Sequence, residues 1–463
     1  MSDGIIETDY LIVGAGATGM AFADSLLHET QATMVMADRR HRPGGHWNDA
    51  YPFVRLHQPA ATYGLPSRPL GSGQKDRVGL NAGLYELASG QEVLSHFDLA
   101  MQQQFLPSGR VQFFPMSEVG EDGVITSLLS GERQIVRAKK VVDATYSQMQ
   151  IPATHPPTYE VADAVACVPP NDLPRVAQRH SAYVVVGAGK TAMDTCVWLL
   201  TNGADPDSIR WIMPRDSWVV NRACLQTGEE FFPRLAESIA NQTEALATGR
   251  SLDDVFLHLE VMGEVMRIDP TVKPEAYHCA LLSEGEIEQL RRIRNIVRLG
   301  RVQRISVDQV TLADGAIPMG ANTLIIDCSA AGTPTRPTVP VFAGDRITLQ
   351  WVRFCQPTFS ASAIAHVEAT YIDEVEKNLI CAPIAPPTVP KDWVRMMAVE
   401  FQTRQVWAEH PDMVSWQATT RLDPFTSHVR SPTAATPEVA AHLQRYAANT
   451  GQAVERIQHL LAQ

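Results

Sequence analysis

The chain begins its patterned region with a short apolar run, Tyr10-Leu11-Ile12-Val13, that stops at a glycine. Apolar residues without polar alternation suit a strand buried on both faces, as in a parallel sheet. Gly14-Ala15-Gly16-Ala17-Thr18-Gly19 follows, and residues 20–27 then place Ala23, Leu26 and Leu27 on one helical face. A second apolar run, 33–37, ends at Asp38. The same order returns later: an apolar run at 182–186, then Gly187-Ala188-Gly189-Lys190-Thr191-Ala192, a helical pattern over 193–200 and a strand over 209–213. The chain therefore holds an internal repeat of two βαβ units.

The stretches after each unit also match. Residues 111–142 contain short strand-like segments around a turn at 120–123 and end in Val141-Val142-Asp143-Ala144-Thr145. Residues 301–326 contain similar segments around Asp314-Gly315 and end in Leu324-Ile325-Ile326-Asp327-Cys328-Ser329. Each predicts a β-meander feeding a last strand back beneath the glycine loop. The fold class expected is α/β, with two Rossmann-like three-layer dinucleotide-binding domains. The first domain takes 1–150 plus 333–385 and the second 175–332, with the proline- and alanine-rich 151–174 as connector. Ile287, Leu290, Ile293 and Val297 have helical spacing, which predicts a helical insertion over about 221–299. A further helix is expected after Gln356, with apolar positions at Ile364, Val367, Tyr371, Val375 and Leu379. Residues 386–463 read as a helical extension that either covers a substrate pocket or meets a second copy in a homo-oligomer.

The loops carry chemistry. In the first, Gly14 permits a tight turn, Gly16 lets backbone approach a pyrophosphate, and Gly19 lets helix and strand pack closely. Unpaired N–H groups of Ala17, Thr18 and their neighbours at the helix start face the phosphates, and Asp38 can accept from ribose hydroxyls. In the second, Gly187, Gly189, Lys190 and Thr191 repeat this arrangement, with Ala192 in place of the third glycine. Arg215 stands where an acid would otherwise be expected. A guanidinium there can bind a ribose 2′-phosphate that a carboxylate would repel, which favours NADPH over NADH. The competing reading of Arg215 is a solvated loop arginine.

Bulk properties narrow the picture. With 463 residues, 45% hydrophobic and 19% charged, the composition is globular. The net charge of −12 opposes nucleic acid as a partner. Seven scattered cysteines contain no C-x-x-C, which argues against a structural metal site and a thioredoxin-like pair. They suit a reducing cytoplasm better than an exported disulfide framework. No apolar run has the length or flanks of a signal peptide or membrane span, so a cytoplasmic protein without membrane contact is expected.

With the Gly14–Gly19 loop and Asp38, Pro43-Gly44-Gly45-His46-Trp47, Tyr51-Pro52, Arg55-Leu56-His57-Gln58-Pro59, and the second loop with Asp194 and Arg215, the sequence resembles the class B flavin-dependent monooxygenases. The matches cover roughly 8–60 and 180–330. The resemblance implies FAD on the first unit, with Arg39, Gly45, His46 and Trp47 beside it, and NADPH on the second. It implies that Arg55, His57 and Gln58 line the flavin pocket as candidate catalytic groups, and that Asp345, in a Gly-Asp pair, meets the flavin phosphate or ribitol. It further implies hydride transfer from NADPH to FAD, O2 addition to give a peroxyflavin, and oxygenation of a small organic substrate. Two elements of the family pattern are altered: the F-x-G-x-x-x-H linker is absent, and the A-T-G element reads Ala144-Thr145-Tyr146 and Cys328-Ser329-Ala330. A flavin reductase serving a quinone or protein acceptor, and a non-catalytic NADP(H)-sensing flavoprotein, are the competing functions.

Overall fold

The computed structural model describes residues 4–423, 425–426 and 436–463. Strand Ile6–Val13 lies between Met34–Ala37 and Arg133–Asp143, parallel to both. The sheet continues to Val111–Phe114 on one side and to the hairpin Phe342–Ala343/Arg346–Thr348 on the other. Because side chains alternate along a strand, Ile12, Met34 and Met36 meet one layer and Leu11, Val35 and Ala37 the other. The first set packs under helices Ala17–Glu29 and Pro357–Thr370, and the second packs against Ile125 and Val136 of the meander. Burial on both faces is what removes polar alternation from the run.

The second unit repeats this construction. Ala182–Val186 lies between Ile209–Ile212 and Thr323–Asp327, all parallel. Tyr183 and Val185 face helix Lys190–Thr201, while Val184 and Val186 face the second meander. The expected connector is not a plain linker. Its Cys167–Val168 joins the edge of this sheet, and its Glu160–Val161 pairs with Val302–Ile305. Two-residue strands leave no period for a sequence pattern to reveal.

Two helical expectations are corrected. The helix predicted across Ile287–Val297 is Glu284–Leu290, opened by a capping box of Ser283 and Glu286; Asn295–Val297 returns as a strand beside Ile209–Ile212. Strand Ser217–Asn221, with Val265–Met266 and Ala276–Leu282, also gives the insertion a small sheet alongside helices Phe232–Thr248 and Leu252–Val261. The helix after Gln356 ends at Thr370, and Asp373 caps a separate helix, Glu374–Ile380, which leaves Val375 and Leu379 exposed. The extension forms helices Pro390–Ala408, Pro411–Thr419 and Pro437–Ala462. Its last helix lies along Phe232–Thr248, buries Ala453, Ile457 and Leu460, and pairs Arg445 with Glu244 at 2.7 Å. Among the described residues no helix is long and apolar enough to cross a membrane.

One buried network fixes the first sheet to its helices. The Glu368 carboxylate accepts from Tyr10 Oη at 2.9 Å, Lys140 Nζ at 2.6 Å and Lys377 Nζ at 2.8 Å. Burial alone would raise its pKa, but the bonds from Lys140 and Lys377 outweigh burial and hold the carboxyl below its ordinary value. Glu368→Gln should cost about 3 kcal/mol at neutral pH, because two cations lose their buried partner. A group with a depressed folded-state pKa contributes fully above its unfolded pKa, so the gap between wild type and variant should close as pH falls below the ordinary glutamate range. Urea unfolding at a series of pH values measures this; a gap independent of pH would contradict it.

Candidate cofactor and active site

Both glycine loops open onto one cavity of about 1070 Å3 between the two domains. Gly14, Gly16, Ala17 and Thr18 line one part, and Gly187, Gly189, Lys190 and Thr191 another. The glycines divide into two kinds. Gly14 has φ +100° and Gly187 φ +130°, and added side chains would press on Ala144-Thr145 and on Cys328. At Gly19 a β-carbon would lie 2.1 Å from the Gly14 carbonyl oxygen, so that residue serves packing and does not line the cavity. At Gly16 the nearest atom would be Gly45 Cα at 3.6 Å, and at Gly189 nothing lies within 4 Å. The protein itself tolerates a side chain at these two positions; a ligand against the loop would not.

Gly16 and Gly189 are the N-caps of the two helices, and neither helix start has a side-chain cap or an acidic residue in its first turn. The first N–H groups of each are therefore not taken up by a cap, which suits phosphate binding. Asp38 is buried and holds the first loop: its Oδ2 accepts from Ala15 N at 2.7 Å and its Oδ1 from Arg40 N at 2.8 Å. The altered A-T-G elements find an equivalent here. Asp143 accepts from Thr145 N at 2.9 Å and Asp327 from Ser329 N at 3.1 Å, so a carboxylate shapes each turn without a left-handed residue at Tyr146.

Gly45 backs directly on Gly16; a side chain there would meet the Gly16 backbone at 3.0 Å. His46 and Trp47 follow on a short 3-10 turn and stack at 5.3 Å, with Trp47 Nε1 donating to Tyr63 Oη at 2.9 Å. Burial, then Arg40, push the His46 pKa down to about 4, so its ring is neutral at pH 7. Tyr51 Oη donates to Asp194 Oδ2 at 2.7 Å, and the same carboxylate pairs with Lys190. Phe53 stacks on Trp198 at 5.2 Å. These contacts join the two domains beside the cavity.

His57 is held in one tautomer. Its Nδ1 accepts from Leu281 N–H at 3.1 Å, which leaves Nε2 as the donor. Burial, then Lys190 and Arg222, lower its pKa to about 3. The free Leu281 N–H arises from a bulge: Trp218 pairs with Tyr277 and Val220 with Leu281, so residues 278–280 carry extra chain. Arg55 also lines the cavity from an exposed position and donates to Leu87 O at 2.9 Å. Gln58 is buried, and its amide nitrogen donates to Thr62 at 3.2 Å. Of these three candidates, His57 is the one whose ring nitrogen is positioned by a backbone donor.

Arg39 and Arg215 line the cavity with exposed side chains. Arg39 sits 3.7 Å from Glu118, whereas Arg215 makes no hydrogen bond or ion pair among the described residues. Asp345 does not belong to the cavity wall. It occupies the exposed turn of the hairpin Phe342–Ala343/Arg346–Thr348, and its carbonyl accepts from Val141 N at 2.8 Å. The hairpin pairs with the sheet edge and so turns the Gly344-Asp345 tip away from the loops. The cavity also contains residues that no motif indicated: Tyr277, His278 and Cys279 from the insertion, and Trp351, Phe354 and Cys355 from the return into the first domain. Cys279 and Cys355 form a disulfide, with Cα atoms 6.4 Å apart. The scattered cysteines suggested no such pair, because 76 residues separate these two and only the fold joins them.

Comparison with known proteins places the fold and the family. Residues 12–66, which contain the first loop, Asp38 and Gly44–Trp47, match the family model described as NAD(P)-binding Rossmann-like domain. The uncharacterized protein Rv2000 of Mycobacterium tuberculosis is 50% identical over 418 residues, covering 90% of this chain and 78% of that protein. The uncharacterized protein Mb2023 of Mycobacterium bovis has the same identity and coverage. The chain belongs to the family of these mycobacterial proteins. Among solved structures, a polycyclic ketone monooxygenase from the fungus Thermothelomyces thermophila is similar over 100% of this chain and 89% of its own, with TM-score 0.51 and 13% identity. At that identity the likeness shows the fold alone: this chain shares its architecture with that monooxygenase.

The two kinds of glycine give a test. Gly189→Val should leave the melting temperature within about 2 °C of wild type, as its side chain enters open space. It should weaken nicotinamide-dinucleotide binding at least tenfold, about 1.4 kcal/mol, without changing FAD content. Calorimetric titration and the flavin-to-protein absorbance ratio measure both. Unchanged dinucleotide affinity would contradict the placement of the second loop.

Proposed function

We propose that the chain is an FAD-dependent, NADPH-using monooxygenase that acts on a small organic substrate with O2. The observation that carries this reading is the single cavity onto which both uncapped helix starts open. When bound there, FAD supplies the redox chemistry, taking hydride from NADPH and passing electrons to O2. The protein's residues bind and orient. Gly16, Ala17, Thr18 and Gly45 admit the FAD pyrophosphate, and Asp38 keeps their loop in place. Gly189, Lys190 and Thr191 do the same for NADPH, with Arg215 free to pair with the 2′-phosphate. His57 offers an Nε2–H from a neutral ring, a donor that persists across the physiological pH range. Tyr277, Trp351, Phe354 and Trp393 give the cavity an apolar wall that suits an organic substrate and limits water.

Purified protein should be yellow and should consume NADPH together with O2. Supplied with an accepted ketone, amine or sulfide under labelled O2, it should place one labelled oxygen in the product. NADPH oxidation that reduces only added quinone, with no labelled product across those classes, would replace this reading by the reductase. Arg215→Ala should raise the KM for NADPH by about 1.5–3 kcal/mol, the loss of a charged hydrogen bond, and leave that for NADH nearly unchanged. Equal effects on both would show that Arg215 does not read the 2′-phosphate.

A further inference from the structure

Cys279 and Cys355 bring two separate segments of the chain together on the cavity wall. Cys279 sits in the bulge of strand Ala276–Leu282 in the insertion, two residues before Leu281, whose N–H positions His57. Cys355 sits in the first domain, immediately before the N-cap of helix Pro357–Thr370. Both line the cavity that the glycine loops share. Their backbones are unusual as well. Cys279 has φ +54° and Cys355 φ +52°, a left-handed conformation that side-chain-bearing residues adopt at a cost and that clusters at functional sites. A surface staple needs neither feature. Cys355 also has the start of a 14-residue helix beside it, whose dipole and first N–H groups favour a thiolate.

We propose that Cys279 and Cys355 are a redox-active pair, a disulfide that accepts two electrons arriving in the cavity from NADPH by way of the flavin. The inference rests on the cofactor reading above. In the balanced step, the disulfide, NADPH and one solvent proton become two thiols and NADP+. The S–S bond breaks, the nicotinamide hydride supplies both electrons, and each sulfur ends with one proton. The dithiol then restores the bridge by passing two electrons and two protons to O2, giving hydrogen peroxide, or to an external disulfide, giving two thiols, so the pair gives the site a second electron acceptor without a C-x-x-C motif.

The test uses the holoprotein. NADPH is added without oxygen, flavin absorbance is followed, and the mixture is quenched in acid and alkylated for peptide mass spectrometry. The expected result is flavin bleaching, with alkylation at Cys279 and Cys355 appearing only after NADPH and about two equivalents of NADPH consumed per flavin. Cys355→Ser should bleach with about one equivalent, because only the flavin remains to be reduced. Flavin bleaching with the disulfide intact would overturn the inference and leave the cofactor reading standing. Alkylation of both cysteines before NADPH would overturn it too, since no bridge would exist. A chain that NADPH does not bleach would overturn both readings.

Discussion

Two helices, Ala17–Glu29 and Lys190–Thr201, begin at glycines on one cavity, and neither start is closed by a side chain. Backbone N–H groups left without partners are costly unless water or a ligand satisfies them. Much of the surrounding structure keeps these two starts pointed into a shared space. Asp38, Asp143 and Asp327 hold the loops and crossover turns by accepting backbone N–H bonds, and the Gly45 backbone presses against that of Gly16. The glycine pattern follows: Gly14, Gly19, Gly45 and Gly187 are held by a turn or by packing and cannot accept a side chain, whereas Gly16 and Gly189, at the helix starts, have room for one.

The relation between the domains depends on a smaller set of polar contacts. Arg222, wholly buried, donates to His57 O at 3.0 Å, Asn81 Oδ1 at 2.9 Å and Leu281 O at 3.2 Å, and pairs with Glu286 at 2.7 Å. Burial alone would raise the Glu286 pKa, but Lys190 and Arg222 hold it below its ordinary value. One carboxylate and three oxygen acceptors meet four of the five N–H groups of this buried guanidinium, and removing Glu286 would leave a desolvated charge. This network fixes the insertion against His57 and Asn81 of the first domain. Tyr51–Asp194 and Phe53–Trp198 reinforce the same junction.

The repeat was legible in the sequence because its signals are local. An apolar run, a glycine motif and a helical face lie within thirty residues of one another, and both units appear in the fold as read. Features that depend on distant pairing were not legible. The strands at Glu160–Val161 and Cys167–Val168 are too short for a period, and the Ile287–Val297 spacing ran on past the end of helix Glu284–Leu290 into strand Asn295–Val297. Asp345 carried a motif but sits on an outward hairpin tip. Conversely, Cys279 and Cys355 carried no motif, yet a bulge and a helix entry place them on the cavity. His57 was named from its neighbourhood, while its tautomer required Leu281, 224 residues away.

The most direct measurement is a crystal structure of the protein with FAD and NADP+ bound. The account predicts the FAD pyrophosphate against Gly16 and the helix start at Ala17, the NADP+ pyrophosphate against Gly189 and Lys190, and the flavin and nicotinamide rings together in the cavity beside Tyr51 and His57. A dinucleotide bound at only one loop, or rings held apart in separate sites, would contradict it.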